Sequence, residues 1–155
     1  MPAIAKLASD FPHATIVLNH ISMAMGMEMD GPDRLTVYGE WSTALRELAL
    51  RGNVVCKIGG LGMPFWGFGF ELRESPISYR ELATAWRPYM ETAIEVFGAN
   101  RCMMESNFPP DARSCGFVPL RNALKYIVKD YSPSEKAALF HGSAARVYSI
   151  DLPSV

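Results

Sequence analysis

The chain has 155 residues, and 15 lysines and arginines against 16 acidic residues leave a formal net charge of −1. With 49% apolar and 20% charged residues it has a globular rather than a disordered composition, and its balanced charge lacks the footprint of a nucleic-acid binder. No run approaches the about 18 apolar residues of a membrane span, and the start, MPAIAKLASDFPH, lacks the apolar core of a secretory signal.

Three cysteines, Cys56, Cys102 and Cys115, at spacings that suit neither a disulfide framework nor a zinc site, read as free thiols of a reducing compartment and hence of a cytoplasmic protein. The length supports about one domain. Residues 1–9 read as a short helix with Ile4, Leu7 and Ala8 on one side. The β-branched run 15–18 (TIVL), bounded by Pro12 and by Asn19-His20, reads as a buried strand. Residues 21–38, polar and broken by Gly26, Gly31 and Pro32, read as a long loop. Trp41, Leu45, Leu48 and Ala49 recur at helical spacing, and Gly52 stops that helix.

Residues 54–58 (VVCKI) form the second expected strand, followed by GGLGMPFWGFGF. Ser78-Tyr79-Arg80-Glu81 is a capping box, opening a helix that carries Leu82, Trp86, Tyr89, Ala93 and Val96, is bent by Pro88 and ends at Gly98. Residues 101–105 (RCMME) form the third strand, followed by the loop SNFPPDARSCGF. Leu120, Leu124, Ile127 and Val128 mark another amphipathic helix. Ser132-Pro133-Ser134-Glu135 is a second capping box, its helix running towards His141-Gly142 before a short turn through Ala144, Val147 and Tyr148.

Three strands separated by helices predict an α/β chain with parallel pairing and right-handed crossovers. In such sheets function gathers in the loops after the strands' carboxyl ends. Here those loops begin at Asn19-His20, Gly59-Gly60 and Ser106-Asn107.

At these loops the sequence resembles the C-terminal part of the amidohydrolase-related hydrolases of TIM-barrel fold, a family that includes pyrone-dicarboxylate and sugar-lactone hydrolases. FPHATIVLNHIS is similar to the family's sixth barrel strand, NVVCKIGGLGM to the seventh and FGANRCMMESNFPPD to the eighth, where many members read Gly-Ser-Asp-Trp-Pro. EKAALFHGSAARVYSID is similar to the closing helices. The resemblance therefore implies one partial domain over residues 1–155, the last three βα units of a (β/α)8 barrel. The family's first-strand His-x-His is absent, the histidines being His13, His20 and His141. The chain is then a fragment, a truncated product, or a half-barrel completed by a partner such as a second copy, with open parallel edges on both sides.

The resemblance implies hydrolysis of a cyclic ester or amide of a small carboxylated or hydroxylated substrate by water attack, with His20 meeting the substrate's carbonyl or carboxylate, or a metal. From position alone, His20 also reads as a strand-end cap. Asn107 stands where many members carry the aspartate that activates water, and an amide cannot take a proton at neutral pH. Glu105 lies two residues earlier on the same strand face. It either supplies the carboxylate, with Asn107 orienting water or substrate, or pairs with a lysine or arginine lower in the barrel. Asp111 is a second candidate carboxylate, or a turn cap.

Lys57 is expected to meet Glu105 or an anionic substrate, or to be a solvated or core-spanning lysine. Arg113 is preferred to Arg101 for binding a carboxylate, because Arg101 begins its strand at the far end. Trp66, with Phe65, Phe68 and Phe70, reads as a lid or apolar wall that contacts substrate or covers the rim; without a Gly-Lys-Ser/Thr ending the segment is no phosphate loop. Met23, Met25, Met27 and Met29 read as soft packing against a pocket or partner rather than as a copper array. Cys102 is assigned to the core, and Cys115 has no paired histidine that would make it a nucleophile. The cofactor stays open between none and a divalent metal such as zinc, and the loss of the aspartate favours none. A metal-dependent decarboxylase of the same superfamily and a non-catalytic remnant are the competing readings. Neither a nucleic acid nor a membrane is an expected partner.

Overall fold

A computed structural model of the chain describes residues 1–22 and 34–151. The helix α1 (Pro2–Asp10) leads into strand β1 (Ile16–Leu18), and helix α2 (Arg34–Ala49) leads into β2 (Val54–Ile58). Helix α3 (Tyr79–Phe97) precedes β3 (Cys102–Met104), and α4 (Phe117–Ile127), α5 (Pro133–Ala137), a π-helical turn (Ala138–Gly142) and α6 (Ser143–Tyr148) close the chain. The strands form one parallel sheet in the order β1-β2-β3, with Leu18 opposite Cys56 and Cys56 opposite Cys102. Among the described residues, β1 and β3 each pair on one side only.

Alternation along the strands divides the sheet into two faces. Leu18, Val54, Cys56, Ile58 and Cys102 join the main core with Trp41, Leu45, Leu48, Leu82, Trp86, Met90 and Leu124 from the helices. The other face carries Val17, Val55, Lys57 and Met103, and Glu105 continues its row beyond β3. A ladder bond from the Glu105 amide to the Ile58 carbonyl (3.0 Å) prolongs the pairing that far.

The structure corrects the last part, 34–38, of the expected loop over 21–38. Helix α2 begins at Arg34 and its buried stripe reaches back from Trp41 to Val37, through the exposed Gly39. Glycine weakens a helix by only about 1 kcal/mol, which burial of Val37 and Trp41 outweighs. Ile21 lies in the turn after β1 but is fully buried, and its carbonyl accepts from Trp41 Nε1 at 2.9 Å. The four alternating methionines lie outside the described residues.

The sheet's amino end is closed by polar clamps. The Arg101 guanidinium donates to the carbonyls of Ala49, Arg51 and Val54 at 3.0–3.4 Å, and its Nε donates to Phe97. Arg101 thus joins α2, β2 and α3 at the end opposite the carboxyl-end loops. Asn53 Nδ2 donates to the carbonyls of Ala8, Phe11 and Ala14 and so fixes the connection between α1 and β1. Among the described residues no helix is long and apolar enough to cross a membrane.

Both capping boxes form, at Ser78/Glu81 and at Ser132/Glu135, and α3 runs through Pro88 to Gly98. Arg73 adds an ion pair to Glu81 at 2.8 Å. The Arg73 guanidinium, followed by the Ser78 hydroxyl and amide, holds the Glu81 carboxyl at about 2, below the ordinary 4.5. A lowered carboxyl stabilises the fold above its unfolded value and ceases to do so as pH falls through the folded one. Equilibrium unfolding followed by circular dichroism is therefore expected to lose stability between about pH 4.5 and 2, less steeply in Glu81→Gln.

Candidate functional site

Backbone geometry after β1 swings His20 towards the end of β3. Three consecutive residues that are not glycine, His20, Ile21 and Ser22, have positive φ values of 49°, 46° and 61°, a left-handed region most side chains avoid. The buried Ile21 and its bond from Trp41 anchor this turn, leaving His20 partly exposed beside β2 and β3.

There His20 Nδ1 lies 2.5 Å from Glu105 Oε1, and Lys57 Nζ lies 2.5 Å from Glu105 Oε2. The Glu105 side chain is only 12% exposed, against 24% for His20 and 28% for Lys57, so its charge is compensated by neighbours more than by solvent. The two expected fates of Lys57 and Glu105 are one arrangement: the lysine meets Glu105 at the sheet's carboxyl end. Histidine, lysine and glutamate from three separate strands converge there.

Glycines make room for this convergence. A Cβ on Gly59 would fall 2.4 Å from Glu105 Cγ and 2.6 Å from the Glu105 carbonyl oxygen. At Gly60, where φ is +74°, it would meet His20 Cγ and Nδ1 at 2.8 Å and Met63 Cε at 2.9 Å. At Gly62 it would meet Asp111 at 2.9 Å. The GGLG run thus keeps three close approaches open and is more than a flexible lid. A double glycine directly after a strand is a legible sign of such crowding, although its partners are not.

Asn107, with φ of 46°, turns its amide to Asp111: Nδ2 donates to Oδ1 at 2.7 Å. Asp111 is 1% exposed. Burial pushes its carboxyl up, while the bonds from Asn107 and the Gly62 amide and the nearby His20 pull it part of the way back; Glu105 adds to the rise. Sequence reading ranked Asp111 below Glu105 and missed that Asn107 is its hydrogen-bond partner.

Arg113 is exposed and, with Met63, Pro64, Phe65 and Pro110, lines a surface hollow of about 510 Å³. Met63 Cε and the His20 ring both lie within 2.9 Å of where a Gly60 Cβ would stand, so the hollow adjoins the cluster. Trp66 takes no part in it. Its side chain is fully buried, against Tyr89 edge-on and Phe68 in parallel, which supports the loop from beneath.

All three thiols are buried. Burial pushes Cys102 and Cys115 to about 12 and raises Cys56 as well, which leaves them protonated and unreactive. Among the described residues no three His, Cys, Asp or Glu side chains are grouped to hold a metal ion. His20 Nδ1 and both Glu105 oxygens are turned to one another and to Lys57, which leaves His20 Nε2 as the donor atom of this trio without a partner among the described residues.

A family profile described as Amidohydrolase matches residues 1–150. The chain is 39% identical over 150 residues to the protein y4mH of Sinorhizobium fredii, covering 97% of this chain and 44% of that one. It is 30% identical over 141 residues to an L-fucono-1,5-lactonase of Burkholderia multivorans, covering 90% of this chain and 44% of that enzyme. The chain thus spans less than half the length of these relatives. The crystal structure of an amidohydrolase from Burkholderia multivorans with bound HEPES superposes with a TM-score of 0.80 at 23% identity, over 97% of this chain and 50% of that one.

Two outcomes are expected. Gly59→Ala should lower the stability by about 1–3 kcal/mol in urea titrations, because Glu105 and its backbone must move. Iodoacetamide should leave all three cysteines unmodified in the native chain at neutral pH and alkylate them after unfolding, as read by mass spectrometry.

Proposed function

The chain belongs to the amidohydrolase family, and from that premise we propose that it is the C-terminal portion of a TIM-barrel hydrolase that opens a cyclic ester, a lactone, of a small carboxylated or hydroxylated substrate. The observation that carries this reading is the meeting of His20, Lys57 and Glu105 at the carboxyl ends of three parallel strands, where barrel enzymes place their chemistry. Similarity to an L-fucono-1,5-lactonase supports the ester class.

In this reading water attacks the ring carbonyl beside His20, and Glu105 is the carboxylate of the site. Asn107 acts on the substrate side only through the loop that it ties to Asp111. Arg113 faces an anionic or hydroxylated end of the substrate over the apolar floor of Met63, Phe65 and Pro110. Lys57 compensates Glu105 and needs no anionic substrate as a partner. No step of this reading is routed through a metal. The rest of the barrel is supplied by further residues of a longer polypeptide, by a separate half or by a second copy of the chain.

A second reading has an observation of its own. The described residues supply three strands in an open sheet and the sequence has no His-x-His, which favours a non-catalytic remnant for the isolated polypeptide.

The test is hydrolysis of L-fucono-1,5-lactone and of a lactone panel, with and without added zinc, alongside the mass in solution. Turnover by an assembly larger than a monomer, reduced about 100-fold or more in His20→Ala, is the expected result. A strict monomer that opens no lactone would leave the remnant reading in place.

A further inference from the structure

We propose that the atom which takes the proton from the attacking water is His20 Nε2, and that Glu105 and Lys57 are positioning residues acting through it. This rests on the hydrolase reading and deepens it, since Glu105 was the expected base. Three observations carry it. Both Glu105 oxygens are engaged, one by His20 Nδ1 and one by Lys57 Nζ, so the carboxylate is committed to two cationic or donor partners before any water reaches it. An ionised carboxylate can only accept, so Nδ1 is the donor, and in the neutral ring this pairing selects the Nδ1–H tautomer, with the lone pair on Nε2. Among the described residues nothing bonds Nε2, although the ring is partly exposed.

Lys57 completes the device. It sits on β2 between the other two strands, and without it Glu105 could rotate away from the imidazole. A Cβ at Gly60 would fall 2.8 Å from the ring's Cγ and Nδ1, so the missing side chain lets the ring settle against the backbone on its Nδ1 side. Asp111 is the other carboxyl that interacts with His20, but it is 1% exposed and its Oδ1 accepts from Asn107, which turns it to its own loop rather than to solvent.

The step balances without a co-reactant. As the water oxygen bonds to the carbonyl carbon, its proton passes to Nε2. As the ring C–O bond breaks, the same proton passes to the departing alkoxide oxygen. Lactone and water become the hydroxy acid, and His20 returns to its starting form.

The test begins without turnover. In the chain labelled with 15N-histidine, with His20 assigned through His20→Gln, ring nitrogen resonances in mildly alkaline buffer should show Nδ1 protonated and Nε2 bare. Glu105→Gln should return the ring towards the Nε2–H form that free imidazole side chains favour, and Lys57→Met should move it part of the way. With L-fucono-1,5-lactone, Glu105→Gln should lower kcat about 10- to 100-fold, the range of a lost orienting partner, with KM changed less than about twofold, as expected when only the transition state loses an interaction.

An Nε2–H or doubly protonated ring in the parent chain overturns the proposal, and so does a tautomer unmoved by Glu105→Gln. Turnover in a chain whose ring is Nε2–H sinks the relay and leaves the hydrolase reading standing. The Nδ1–H ring with no lactone opened sinks the hydrolase reading, and with it the catalytic use of this atom.

Discussion

A carboxylate held between an ammonium and an imidazole is the interaction on which the carboxyl end of this sheet depends. Glu105 has little solvent to stabilise its charge, so Lys57 and His20 must do so. A pair of this kind is not automatically favourable, because desolvation offsets much of the attraction; removing one partner, however, leaves an uncompensated charge and is costly. The three side chains are therefore mutually dependent, and since they come from three strands, their contact ties the ends of β1, β2 and β3 together.

That contact dictates the local backbone. His20 reaches Glu105 only through a turn of three residues in left-handed conformation, which Ile21 and Trp41 hold in place. The strand between them must present no side chain where Glu105 and His20 approach it, and Gly59 and Gly60 satisfy this. A few ångströms away the same logic applies to Gly62 and Asp111. The first four residues after β2 are thus shaped by what leans on them, while the aromatic half of the segment is shaped by the core beneath.

The elements that sequence patterning revealed are those with a one-dimensional signature. The three β-branched or apolar runs, both capping boxes and the stripe from Trp41 to Ala49 are written locally, and periodicity or hydrogen-bonding chemistry exposes them. The meeting of Lys57 with Glu105 was legible in part, since parallel strands bring position 57 and position 105 to one face. What escaped was three-dimensional. The polar stretch broken by Gly26, Gly31 and Pro32 hid the first turn of α2, because such breakers outweigh Val37 in a local window although Val37 is buried in the packed core. The burial of Trp66 was hidden by the glycines around it, which resemble a mobile loop until Tyr89 is placed against the indole. The Asn107–Asp111 bond depends on a left-handed residue at position 107, and no spacing rule announces one.

The unpaired side of β3 has a consequence for whatever strand comes to lie against it. Parallel pairing has a side-chain period of two, so a shift by a single residue turns every inward group outward. The backbone of Cys102 to Met104 therefore acts as a ruler: the alignment of an added strand on it selects which of that strand's side chains stands in the row of Met103 and Glu105. Chemistry on the far side of the carboxylate would be chosen by backbone hydrogen bonding well before any substrate arrives.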